Sequence, residues 1–370
     1  MRATRAVIHL DYLRDNIALV REKTGAAICV PVKADAYGHG ALRTAQAALK
    51  YGAAYLAVAT VAEGEELRDG GISAPILLLS VPLPEEIPRL INAALEPLAG
   101  DAAYIDALAG AAGKARKKAS VHLKVDTGMG RIGCRPGEAG ELAARITGSG
   151  LLLAGTATHF AAADSTAEDD RVFTAGQIQS FRTALHGIRA RGVDPGIVHA
   201  ANTGAVLFHK SGWFDMVRPG ILLYGYAPLD GGKKALPVKP LMELESRLVF
   251  VKTVKKGESV SYGRIWTAPE DTVIGTIPAG YADGLPRPAS GKWDVYVDCQ
   301  SPSLRPLAGR ICMDQCMVDL GPRPAASRWD RVVIFGGPAP DAEVLASRIG
   351  TIPYEICCNI NKRVPRVYVE

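Results

Sequence analysis

Residues 27–40 read AICVPVKADAYGHG. An apolar run over 27–32 ends in Lys33, turns through Gly38 and Gly40, and gives way to helix-like spacing over 40–51. A short aliphatic or β-branched strand followed by a stretch long enough for a crossover helix is the first half of a βαβ unit. Working outward, the same alternation recurs about eight times before Gly225, with apolar runs at 27–32, 55–59, 76–79, 93–97, 121–125, 152–158, 197–200 and 216–223. Segments at 40–51, 60–69, 136–147 and 167–191 have helical composition between them.

Eight such strands predict an α/β fold built as a closed (β/α)8 barrel of the TIM type. A doubly wound open sheet is the alternative. The barrel is favoured because the chemically interesting residues fall at or just beyond the carboxyl ends of different strands, where barrel enzymes keep their active sites. The texture changes after Tyr226. A Pro, Gly and Lys-rich stretch at 228–240 precedes short alternating strands, such as 248–254 and 272–277, and one helix near 342–349. The expected division is a barrel over 1–235 and a mostly β domain over 236–370, with the strand-like residues 6–10 free to pair with either.

The bulk numbers agree with two domains and narrow the class. A chain of 370 residues exceeds one ordinary core, and 48% hydrophobic with 22% charged residues is the balance of a globular protein. The 43 basic and 38 acidic residues leave a net charge of only +5. The one basic run, 114–118, lacks interleaved aromatic residues and reads as a solvated helix end, so nucleic acid is not expected as a partner. No apolar stretch approaches the roughly 20 residues that span a bilayer. Seven cysteines, an odd number without a leading export segment, point to a reducing cytoplasm. Cys312 and Cys316, with Cys357 and Cys358, lack zinc-ribbon spacing, so no metal is expected. The glycines at 128–130 and 336–337 complete no nucleotide-binding fingerprint.

The chemistry begins at Lys33, which the barrel reading sets at the mouth. An amine at the edge of an apolar interior has a depressed pKa and can form a Schiff base with an aldehyde cofactor, although a lysine snorkelling from a strand end is the plainer alternative. The run MVRPGI at 216–221 lies at the last strand, where this fold favours a phosphate site. Backbone amides of Gly220 and Ile221, with the hydroxyls of Thr203 and Tyr37, can serve it.

These segments resemble the alanine racemase family. The stretch VKADAYGHG around Lys33 is similar to its pyridoxal-phosphate attachment motif. The order of HLKVDTGMGRIG, THFAAAD, HAANTG, VRPGILLYG, SVSYG, GYADG, GRICMDQCMVDL, PYEI and RVPR extends the likeness over nearly the whole chain. The resemblance implies interconversion of L- and D-alanine on pyridoxal 5'-phosphate, supplying D-alanine for peptidoglycan. It also implies a head-to-tail homodimer whose active sites draw on both subunits.

Carried over by motif, Lys33 would hold the cofactor and serve one face of the substrate α-carbon, with Tyr262 serving the other. Two acid/base groups on opposite faces are what inversion requires. Arg218 would face the pyridine nitrogen, where a group that cannot readily give up a proton limits misprotonation and transamination. His199 would hydrogen-bond Arg218, His159 would lie beside Tyr262, and Asn202 and Thr203 would belong to the cofactor site. Arg131 would meet the phenolic oxygen and the substrate carboxylate, which the backbone amide of Met313 would also bind. Tyr281 and Tyr354 would line the entrance and the phosphate end, favouring a small substrate. Lys124 matches a lysine carbamylated in some relatives; unmodified, it would bridge to Asp126.

Three alternatives remain open at this point. A decarboxylase of the same fold is expected to hold the pyridine nitrogen with a carboxylate, against Arg218. A broad-specificity serine/alanine racemase differs only in pocket shape. A non-catalytic pyridoxal-phosphate-binding protein would lack the second domain and Tyr262.

Overall fold

The computed structural model describes residues 2–227 and 235–370. Residues 228–234, the first half of the stretch read as the boundary between domains, lie outside the described residues. The chain opens with strand β1 (Arg5–His9) and a helix over Leu10–Thr24. Eight parallel strands follow: β2 (Ala27–Pro31), β3 (Tyr55–Val58), β4 (Ile76–Leu78), β5 (Glu96–Ala99), β6 (Ser120–Lys124), β7 (Leu152–Ala157), β8 (Ile197–His199) and β9 (Met216–Val217). Each pairs with the next, and β9 pairs back onto β2 with Ala27 opposite Met216, so the sheet closes.

Strand periodicity sorts the side chains. Cys29, Tyr55, Ala57, Leu77, Leu98, Ala157 and Met216 form one buried cluster inside the barrel. The alternate residues Val30, Leu56, Val58, Ile76, Leu78, Val121 and Leu123 belong to the larger core shared with the helices. Crossover helices include Ala41–Lys50, Val61–Asp69, Ala102–Ala115 and Glu168–Ala190. Thr60 and Glu63 form a capping box on the second of these, and Asp101 accepts the amide of Tyr104 at 2.8 Å to start the third.

Two apolar runs differ from the sequence reading. The run at 93–97 yields a strand only from Glu96, because Ala94 takes a left-handed φ of 48° and turns the chain first. The run at 216–223 stops being a strand after Val217; Pro219 precedes a helical turn over Gly220–Leu223.

The second domain contains β10 (Met242–Arg247), β11 (Phe250–Val254), β12 (Ser259–Val260), β13 (Trp266–Thr267), β14 (Thr272–Ile277), β15 (Asp294–Asp298), β16 (Ser303–Pro306), β17 (Cys316–Gly321), β18 (Arg331–Phe335) and β19 (Arg366–Val369). A six-stranded sheet has the order β16-β15-β18-β10-β1-β19, and a three-stranded sheet the order β11-β14-β17. The first strand therefore pairs with the last domain: β1 runs antiparallel to β10 and parallel to β19. Beside the helix over Ala342–Ile349 lies a second, Pro353–Cys358, which sequence reading missed.

Candidate active site

The site starts from an unusual backbone. Directly after Lys33, residues Ala34, Asp35, Ala36 and Tyr37 all have left-handed φ values of 52–53°. This conformation costs an L-residue about 1–2 kcal/mol, so four in a row need external support. His39 gives it by donating from Nδ1 to the carbonyls of Ala36 (3.0 Å) and Tyr37 (2.9 Å), and its complete burial keeps the ring neutral, with a pKa of about 4. Asp35 Oδ1 accepts the amide of Ala41, while Arg366 Nε, from the C-terminal strand, donates to the Gly38 carbonyl at 3.0 Å. At Gly38 a Cβ would lie 2.1 Å from the carbonyl oxygen of Cys357, so only glycine admits this approach. The turn directs Lys33 into the barrel mouth, where burial and the nearby Arg131 depress its pKa.

A cavity of about 390 Å³ opens there, within the range of small-molecule sites. Lys33, Lys124, Arg131 and Arg218 line it, with Asp164 as the sole carboxylate among its lining residues. Such an excess of cations in a confined space suits an anionic occupant. Burial first, and then the charge of Arg218, bring Lys124 down to about 8; burial brings Arg218 down to about 10. Lys124 Nζ donates to the carbonyl of Val125 at 3.0 Å, and the ion pair to Asp126 expected for the unmodified side chain is not formed. Asp126 instead accepts the amides of Gly128, Met129 and Gly130, which fixes the loop leading to Arg131.

Arg218 is anchored from several sides. Its Nη1 meets His199 Nδ1 at 2.6 Å; its Nη2 donates to the carbonyls of Thr158 (2.8 Å) and Ala200 (3.1 Å) and lies 3.2 Å from His159 Nδ1. Both histidines are held well below their ordinary pKa, first by burial and then by Arg218. Behind His199 stand two residues that sequence reading missed. His122 Nδ1 lies 2.9 Å from His199 Nε2, and His122 Nε2 lies 2.9 Å from Glu96 Oε2. A signal was available: in Val121-His122-Leu123-Lys124, period two puts His122 on the same face as Lys124.

The cavity also carries hydroxyls and backbone donors. Tyr37, Thr203, Gly220 and Tyr354 line it. The rings of Tyr37 and Tyr354 are 5.8 Å apart, and a Cβ at Gly220 would sit 2.8 Å from the Tyr37 hydroxyl. Gly220 and Ile221 begin a helical turn, so their N–H groups have no partner within it. Ile221 itself is fully buried, leaving its backbone as the available group. Asn202 also lines the cavity, but its side chain is engaged in the backbone: Oδ1 accepts from Ala205 and Nδ2 donates to Phe160, which caps the helix presenting Thr203.

Tyr262, Tyr281 and Met313 do not line this cavity. They lie on the second domain with relative exposures of 72%, 42% and 53%. The segments of the latter two are joined, since Tyr281 N–H donates to the Cys312 carbonyl (3.1 Å) and Ala282 N–H to that of Met313 (3.0 Å). One chain thus divides the expected site residues into a cavity set and an exposed set.

Two family models cover nearly the whole chain. Residues 8–228 match the family model described as the alanine racemase N-terminal domain, and residues 241–368 match the C-terminal domain. The chain is 50% identical to alanine racemase of Treponema denticola, covering 100% of this chain and 99% of that protein. It is 41% identical to that of Desulfovibrio desulfuricans, with coverage of 100% and 99%. Among solved structures, alanine racemase from D-cycloserine producing Streptomyces lavendulae superposes with a TM-score of 0.91 at 36% identity, covering 100% of this chain and 98% of that one. The Bacillus anthracis enzyme with bound L-Ala-P gives 0.90 at 32% identity, with coverage of 100% and 96%.

Proposed function

This chain belongs to the alanine racemase family, and from that premise we propose how its residues interconvert L- and D-alanine with pyridoxal 5'-phosphate held at Lys33. The carrying observation is the cavity itself: a half-buried lysine of depressed pKa, three further cations against one carboxylate, and a glycine-floored end furnished with hydroxyls. A phosphorylated aldehyde of that size fits the donor set. Gly220, Ile221, Thr203, Tyr37 and Tyr354 would hold its phosphate, Arg218 its pyridine nitrogen and Arg131 its phenolic oxygen. When bound, the cofactor supplies an electron sink conjugated to the substrate α-carbon.

The chain's residues do the rest. Lys33 moves a proton on one face of the α-carbon, helped by the burial and the Arg131 charge that favour its neutral amine. Tyr262 moves the proton on the other face. The exposure of Tyr262 supports an origin in a second copy of the chain, joined head to tail, with Tyr281 and Met313 arriving on the same surface. The Met313 amide and Arg131 would then bind the substrate carboxylate, and the phenols of Tyr281 and Tyr354 would crowd larger side chains. In this scheme residues 1–235 hold the cofactor except for Tyr354 at its phosphate, and 236–370 deliver Tyr354 and Tyr262. The enzyme would work in the cytoplasm, providing D-alanine for peptidoglycan.

The test is to load the purified protein with pyridoxal phosphate, assay D-alanine formation from L-alanine, and reduce the loaded protein with borohydride. A pyridoxyl group recovered on the Lys33 peptide, absent in Lys33→Ala, supports the reading. Label on another lysine contradicts it.

A further inference from the structure

A guanidinium donates hydrogen bonds and accepts none, so the 2.6 Å contact from Arg218 Nη1 makes His199 Nδ1 an acceptor. Neutral His199 then carries its proton on Nε2, which faces His122 Nδ1 at 2.9 Å. His122 must accept there, so its own proton sits on Nε2, 2.9 Å from Glu96 Oε2. Each assignment forces the next. The row runs in one sense, from guanidinium through two imidazoles to a carboxylate, and one added proton on either ring would set two donors face to face.

The row is built into the barrel. His122 and His199 are fully buried and Arg218 is 6% exposed. A Cβ at residue 155 would fall 2.4 Å from His122 Nδ1, so β7 has a glycine where this ring sits. The Tyr55 ring meets His122 edge-on at 6.0 Å. Glu96 opens β5, on the side of the barrel away from the cavity, and its side chain is 15% exposed. Its carboxyl oxygen, 2.9 Å from His122 Nε2, anchors the far end of the row.

We propose that Glu96 and His122 are positioning residues for racemisation: by fixing the tautomer of His199 they hold Arg218 in one orientation toward the cavity. The proposal rests on the reading that Arg218 meets the cofactor's pyridine nitrogen. A row ending in arginine cannot hand a proton to the cavity, so it orients the guanidinium and conducts nothing. Its negative end also polarises both imidazoles toward Arg218, strengthening the bonds that keep this buried cation from turning.

The test uses the pyridoxal-phosphate-loaded wild type, Glu96→Ala and Glu96→Gln, the last keeping an acceptor oxygen at nearly unchanged size. Nitrogen-15 histidine NMR is expected to show both rings as Nε2–H tautomers in the wild type and in Glu96→Gln, and a mixture in Glu96→Ala. Glu96→Ala should lower kcat about tenfold with KM for alanine nearly unchanged, and should lose the visible band of bound cofactor to transamination faster per turnover; Glu96→Gln should recover most of both. His199 found as Nδ1–H in the wild type overturns the proposal even if racemisation is normal. So does a folded Glu96→Ala with wild-type kcat and band stability, or a Glu96→Gln impaired while its tautomers stay unchanged. Absence of racemisation in the wild type contradicts the functional reading instead and leaves the tautomer result standing. If Glu96→Ala does not fold, the glutamine variant still decides.

Discussion

The Lys124 ammonium donates to the carbonyl oxygen of its own neighbour Val125 at 3.0 Å, while Asp126, two residues on, is occupied by three backbone amides. Lys124 is 3% exposed and shares its surroundings with Arg218 and Arg131. A buried lysine without a carboxylate partner favours its neutral form, and the neutral amine is the form that reacts with carbon dioxide to give a carbamate.

Carbamylation of Lys124 should follow from this environment. Because its pKa is brought down to about 8, the reactive amine grows as pH rises through that value. Enzyme stripped of carbon dioxide should regain activity on adding bicarbonate, more fully above pH 8 than below it. Charging the folded-state amine costs stability in full below about 8, and the cost fades as pH climbs toward the unperturbed 10.5. Lys124→Met should therefore stabilise cofactor-free, carbon-dioxide-free protein at neutral pH by about 3 kcal/mol while impairing activity. Denaturant titration and a bicarbonate-dependent assay check the two halves.

Replacing an alanine by glycine usually weakens a protein. Position 34 should behave in the opposite way, since Ala34 is exposed and sits at a φ of 52°. Ala34→Gly is expected to gain about 0.5–1 kcal/mol of stability by removing the left-handed penalty. Thermal unfolding of the two proteins measures it, and an unchanged or lower Tm would show that the turn after Lys33 carries no strain.

Asp283 ties the exposed set together. Its fully buried carboxylate pairs with Arg2 and Arg363 and accepts the Gly280 amide, and Arg363 reaches on to Asp314 at 2.8 Å. Burial pushes its carboxyl up, but Arg363, the Gly280 amide and Arg2 together hold it below the ordinary value of 3.8. Its contribution is present above that value and lost as pH falls through the depressed one. Asp283→Asn should cost about 2 kcal/mol at neutral pH, a deficit that shrinks in acid. The KM for alanine should rise more than kcat falls, because the segments of Tyr281 and Met313 loosen.

Subunit complementation tests the shared site. Lys33→Ala and Tyr262→Phe should each be nearly inactive alone. Mixed and reassociated in equal amounts, half the dimers become hybrids carrying one intact site, so activity should return to about a quarter of wild type. No recovery, with hybrids demonstrably formed, would mean that Lys33 and Tyr262 of the same chain work together.

The legible parts of this molecule were those with local chemical punctuation. Lys33 and Arg218 stand beside strand ends marked by glycine and proline, and strand β14 and the helix over Ala342–Ile349 were read at their observed bounds because their patterns are unambiguous. The run at 216–223 was not, since Pro219 breaks a sequence whose hydrophobicity is continuous. Nothing in Ala34 or Ala36 announces a positive φ; the conformation is imposed by His39 and by Arg366, more than 300 residues away in sequence. His122 and Glu96 were missed because a buried polar pair appears as noise in a strand pattern until the closed barrel sets β5 beside β6, and β6 across a glycine of β7 from β8. Tyr262 was legible as a residue and not as a location: it stands exposed on the second domain, away from the cavity, and the proposed scheme brings it there from a second copy of the chain.

The central claim, that Lys33 and Tyr262 serve opposite faces of the α-carbon, is tested most directly in deuterated water. Wild-type enzyme loaded with pyridoxal phosphate should convert L-alanine to D-alanine carrying solvent deuterium at the α-carbon, while L-alanine recovered early still holds its proton. Tyr262→Phe should bind the cofactor as before and lose interconversion, yet still exchange the α-proton of one enantiomer with retained configuration. Wild-type racemisation rates in Tyr262→Phe, or early deuterium in both enantiomers with the wild type, would contradict the two-base account.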